Sequence, residues 1–86
     1  MPEISRFFGI IIAMYYDDHD PPHFHAKYGD MRACFSIAEL RIVEGELPRR
    51  VVTLVLEWAF EHRKELQDNW SLAKKRVALK KITPLE

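Results

Sequence analysis

Two alternating runs, His23–Tyr28 and Met31–Ile37, flank the dipeptide Gly29-Asp30, and no other feature limits the fold as strongly. A two-residue connection with glycine at its first central position closes a tight hairpin, because glycine takes a positive φ there without steric cost. The turn predicts the register. Tyr28 faces Met31, Ala26 faces Ala33 and Phe24 faces Phe35 on an apolar side. Lys27 faces Arg32, His25 faces Cys34 and His23 faces Ser36 on the other side, which is polar.

The remaining elements follow from the same kind of reading. Arg6 to Tyr16 is rich in β-branched and aromatic residues and predicts one strand that is apolar on both faces. Such a strand is either covered on both sides or packed against another chain. Asp17 to Pro22 reads as a loop, since two prolines cannot sit inside a central strand. Residues 40–43 suggest a short further strand before a turn at Glu44-Gly45-Glu46. Pro48 opens a helix whose stripe is Val51, Val55, Trp58, Ala59, His62, Leu66, Trp70 and Ala73. The helix runs to about residue 76 or breaks near Asp68-Asn69, where propensity is weakest. The predicted fold is α+β, in a single domain spanning 1–86. It is an antiparallel three- to four-stranded meander (about 6–16, 22–28, 31–37, 40–43) followed by one long or bent helix (about 48–76).

Composition narrows the function classes. Thirteen basic residues balance thirteen acidic ones, so no global field draws the chain to nucleic acid or membrane. Ten aromatics and an apolar fraction of 48% supply a core. One cysteine excludes an internal disulfide framework and suits a reducing compartment. The longest apolar run, Phe7 to Tyr16, covers ten residues where a membrane helix needs about twenty. No cleavage-site pattern follows it, so a signal peptide is not expected and the expected location is cytoplasmic.

Chemistry concentrates in Asp17-Asp18-His19-Asp20-Pro21-Pro22-His23-Phe24-His25, which holds three of the four histidines. His23 and His25 share a strand face, Cys34 lies opposite His25, and His19 or an aspartate of the preceding loop could reach over them. Together they form a candidate set for zinc or another divalent metal. Alternatively, His19, His23 and His25 are catalytic acid–base groups for metal-independent RNA cleavage, with Lys27 and Arg32 meeting phosphate. Arg49 and Arg50 oppose the dipole of the first helical turn. They are either offset by Glu44 and Glu46 or form a further phosphate site with the free helix N–H groups. The plainer expectation is that His23 and His25 are half-exposed strand residues. His62 then reads as a satisfied helical histidine, and Trp58 and Trp70 as core or interface.

Several segments carry a family resemblance: Met1-Pro2-Glu3-Ile4-Ser5-Arg6-Phe7-Phe8-Gly9, Met14-Tyr15-Tyr16 running into the histidine block, Tyr28-Gly29, Glu44-Gly45-Glu46-Leu47-Pro48-Arg49-Arg50 and Glu57-Trp58-Ala59. The chain resembles a bacterial family known as domain of unknown function 4160. Its members are small stand-alone proteins, often encoded beside another small protein (domain of unknown function 2442). That arrangement is similar to a toxin–antitoxin pair. The resemblance implies a small protein partner encoded nearby and brings no established catalytic residues, while the strand apolar on both faces points to a homo-oligomer or a partner. Two functions are therefore expected from different classes. One is a toxin-like component with a histidine site acting on RNA. The other is a non-catalytic interaction protein whose histidine block is a structural metal site or binding surface.

Overall fold

The computed structural model describes residues 2–86. Among these residues, five strands form one antiparallel meander in chain order: β1 (Glu3–Phe7), β2 (Ile10–Ala13), β3 (His23–Tyr28), β4 (Met31–Ser36) and β5 (Ile42–Glu46). Two helices follow, α1 (Arg49–Glu61) and α2 (Arg63–Lys74). The α+β class and the meander are as expected; the strand and helix counts are not.

The single strand expected over 6–16 is a hairpin. Phe8 and Gly9 take φ of +50° and +78°, and Phe7 pairs with Ile10 across them. Two consecutive positive φ values are what a type I′ turn needs. Here the first is held by phenylalanine, so the turn is masked inside an apolar run. Folding the run back on itself also resolves its two apolar faces. Ile10, Ile12 and Met14 enter the core, while Ile11 and Ala13 face the opposite side of the sheet beside His25, Lys27 and Cys34.

The central hairpin has the expected register at all six pairs from His23↔Ser36 to Tyr28↔Met31, and Gly29 takes φ +59°. The last strand is Ile42–Glu46 instead of 40–43. Leu40 takes the positive φ that turns the chain, and Glu44-Gly45-Glu46 is strand, not turn. Gly45 sits at φ +82° beside a bulge in the β4–β5 pairing.

The helix breaks at His62, seven residues before Asn69, with φ −123° and ψ 27°. No proline or glycine marks the place. Its ring centroid lies 5.6 Å from that of Trp58 and its Nδ1 stands 2.5 Å from Glu65 Oε1. Arg63 donates to the Ala38 carbonyl at 2.6 Å. These contacts, not propensity, end α1. Asn69 lies inside α2, buried, and both ends of its amide bond the backbone of Lys80 at 2.9 Å.

Val51, Val55, Trp58, Leu66, Trp70 and Ala73 cover the face formed by Ile10, Ile12, Phe24, Ala26, Ala33 and Phe35. The segment after α2 also enters this core. Ile82 is buried and donates to the Ile4 carbonyl at 2.8 Å, and Trp58 Nε1 donates to the Thr83 carbonyl at 2.9 Å. The other face of the sheet carries no helix among the described residues. Trp58 and Trp70 are core residues, and His62 is paired, as expected of each. No helix among the described residues is long and apolar enough to cross a membrane.

Candidate metal centre

The loop from Met14 to Pro22 is pinned to the end of α2. The Asp17 N–H donates to the Ala73 carbonyl at 3.1 Å, Lys74 Nζ donates to the Asp18 carbonyl at 2.8 Å, and Arg76 pairs with Asp17 at 2.8 Å. This anchoring brings Asp18 over the first residues of β3. Its Oδ2 stands 3.0 Å from His23 Nε2 and 3.3 Å from His25 Nε2. One carboxylate oxygen thus meets two imidazole nitrogens.

The surrounding bonds assign the protons. His23 Nδ1 lies 2.9 Å from the Pro21 carbonyl, which only accepts, so Nδ1 carries a hydrogen. The Nε2 lone pair of that tautomer points at the Asp18 oxygen, and this contact needs a positive charge between them: a second proton or a metal ion. His25 is arranged differently. Its Nε2 donates to Asp18, and its Nδ1 accepts from the Cys34 thiol at 3.2 Å.

Electrostatics match that assignment. Burial pulls the His25 pKa below its ordinary value, and the hydrogen bond to Asp18 only partly opposes this. Burial, with the charges of Glu44 and Asp18, pushes the Cys34 thiol up. Burial also raises the Asp18 carboxyl, but the His19 N–H, the His25 hydrogen bond and the charges of His23 and His19 together outweigh it and hold the group low. The site therefore contains a carboxylate, a neutral His25 and a protonated thiol.

Donor atoms of His23, His25 and Cys34 lie within 4.8 Å of one another, and so do those of Asp18, His19 and His23. Two donors on one tetrahedral zinc ion stand about 3.3–3.7 Å apart. Either set would have to draw together by up to about 1 Å to close on one ion. His23 is oriented for this, because the Pro21 carbonyl fixes its other nitrogen in the way second-shell acceptors orient metal-bound histidines. The Trp70 ring, 5.3 Å away between centroids, helps bury it. His23 and Ser36, expected on an open polar face, are in fact 5% and 4% exposed.

The expected site residues separate into three groups. His23, His25 and Cys34 come together. His19 stays largely in solvent, 5.2 Å from His23 between ring centroids, and can join only through the loop. Lys27 and Arg32 face each other one step further along the hairpin. They line a trough of about 420 Å³ on the open sheet face, together with Ile11, Ala13, Tyr15, His25, Cys34 and Glu44. Arg49 and Arg50 open α1, exposed, and line neither this trough nor the smaller cavity at the histidines. Neither makes an ion pair among the described residues, with Glu44, Glu46 or any other carboxylate.

A loop aspartate was expected to reach over, and the structure singles out Asp18. Its placement depends on distant contacts: Lys74 meets the Asp18 carbonyl 56 positions away, and Arg76 meets the neighbouring Asp17 59 positions away. Neither the curated proteins nor the solved structures contain a match to this chain. A family model does match, over residues 9–71, which include the histidine block, the hairpin and all of α1. The chain belongs to the family described as a domain of unknown function, DUF4160.

Proposed function

We propose that this chain binds a divalent transition metal of the zinc class through His23, His25 and Cys34, with Asp18 as the fourth donor or its partner. The observation that carries the reading is the His23 geometry. Nδ1 is tied to a backbone carbonyl while Nε2 faces a carboxylate, next to a second imidazole and a thiol. Two nitrogens, a sulfur and an oxygen suit zinc in number and softness.

The metal-free alternative draws less from this geometry. General acid–base cleavage of RNA by a histidine pair, as expected for this chain, places one imidazole at the 2′-hydroxyl and the other at the leaving oxygen. His23 and His25 instead converge on one Asp18 oxygen, with ring centroids 5.1 Å apart. An RNA-acting, toxin-like role therefore enters this proposal only with the metal. A cavity of about 160 Å³ lies over the cluster, bounded by Asp18, His19, His23, His25, Cys34 and Glu44. It has room for water beside the donors, which favours a reactive centre over a closed one. When bound, such a metal supplies Lewis acidity and an activated water. Asp18 would hold or accept that water's proton, and Pro21 and Trp70 would keep His23 in place. In the interaction-protein alternative the same ion is structural and Asp18 completes its shell.

Elemental analysis of untagged protein, followed by cobalt(II) titration, tests the proposal. We expect one ion per chain and a thiolate-to-cobalt absorption band that disappears in Cys34→Ser. His23→Ala should bind far more weakly. Protein that carries no metal and takes up neither cobalt nor zinc would sink it.

A further inference from the structure

Lys27 and Arg32 are directly opposed across the hairpin, two cations on one face with no ion pair to either among the described residues. Like charges at opposed positions destabilise a sheet. Glu46 is the register partner of Arg32 on β5, yet it makes no ion pair with it and lies outside the trough lining. The unfavourable pair sits at one end of the trough described above. Glu44, His25 and Cys34 occupy the other end, and Ile11, Ala13 and Tyr15 lie along the lining. Arginine's fork and lysine's point charge are together the usual protein recognition of an oxyanion. The volume of about 420 Å³ falls in the range of small-molecule sites.

The geometry points to a binding site for a small organic oxyanion, a phosphate monoester or carboxylate with an apolar body. Its charged end is held between Lys27 and Arg32, and its body lies against Ile11, Ala13 and Tyr15. Two strand residues, about 7 Å, separate the cation pair from His25 and Cys34. A ligand of that length brings its far end to the metal donors. That last contact rests on the metal reading; the oxyanion end does not. The negative charge of Glu44 and Asp18 at the donor end sets the direction in which an anion enters.

Phenyl phosphate is the probe, titrated into isotopically labelled protein by NMR, with benzyl alcohol as its neutral counterpart. We expect phenyl phosphate to shift the amides of β3 and β4 around Lys27 and Arg32. Its affinity should fall roughly tenfold or more in Lys27→Gln/Arg32→Gln. That double variant relieves a like-charge pair, so it should melt no lower than the parent, which separates lost binding from lost folding. Arg49→Gln/Arg50→Gln should leave the affinity unchanged. The inference is overturned by equal binding of benzyl alcohol, by an unchanged affinity in the Lys27/Arg32 variant, or by no binding at all. Single-stranded RNA that occupies Lys27 and Arg32 more tightly than phenyl phosphate would also overturn it. Titrations of chelator-treated and zinc-supplemented protein keep the two readings apart. Phenyl phosphate binding without zinc uptake removes the metal alone, whereas zinc uptake without phenyl phosphate binding removes the oxyanion site alone.

Discussion

Phe8 holds φ +50° at the first turn position of the β1–β2 hairpin, where a residue with a β-carbon is strained by about 1–2 kcal/mol. Its side chain is 59% exposed, so little packing offsets that strain. Asparagine tolerates this backbone, and Asn-Gly is the preferred pair for the turn. Phe8→Asn should therefore stabilise the fold by about 1 kcal/mol, seen as a higher urea midpoint at unchanged slope. A lower midpoint would show that the ring matters more than the backbone. Gly29 announced its turn, because alternating strands flanked it. Gly9 did not, because a phenylalanine stands where a polar turn residue normally would and the run on both sides is apolar. Asp18 was likewise unreadable alone: nothing in a single aspartate tells which imidazole it will face.

At the scale of elements, β5 survives only by close approach at Gly45. A β-carbon there would meet the Arg32 carbonyl oxygen at 2.4 Å and Ala33 Cα at 3.0 Å, both of them backbone. Gly45→Ala is expected to cost about 2 kcal/mol or more, through the clash and the positive φ together. Slowed hydrogen exchange across β4 and β5 should be lost with it; unchanged protection would refute the account. Glu44-Gly45-Glu46 looked like a turn for the reason that makes it work as a strand. Glycine supplies the positive φ of a tight turn, and here it also lets β5 approach the Arg32 carbonyl closely. The helix start at Pro48 was legible because proline suits the beginning of a helix. The break at His62 was not, since it is set by Trp58, Glu65 and the Ala38 carbonyl and not by local propensity.

Across the whole molecule, the segment after α2 closes the core that the sheet and helices leave open. Removing residues 79–86 takes away the buried Ile82, its bond to Ile4, both bonds of Asn69 to Lys80 and the partner of Trp58 Nε1. Burial of Ile82 contributes about 1.5–3 kcal/mol and each hydrogen bond about 1 kcal/mol, so the truncation costs roughly 5 kcal/mol or more. That is comparable to the whole stability of a small domain. The shortened chain should lose its cooperative thermal transition, and a melting curve like that of the full chain would contradict this role. Sequence alone determined what local chemistry controls: the α+β class, the central hairpin with its register, and the opposition of His25 to Cys34 and of Lys27 to Arg32. Each depends on residues close in the chain, a two-residue turn and the strict alternation of a strand. Tertiary structure decided the rest. It placed Asp18 between two imidazoles, buried His23 beneath Trp70, split one apolar run into two strands and folded the last residues back onto β1. Those outcomes depend on contacts between distant segments, whose geometry no local pattern encodes.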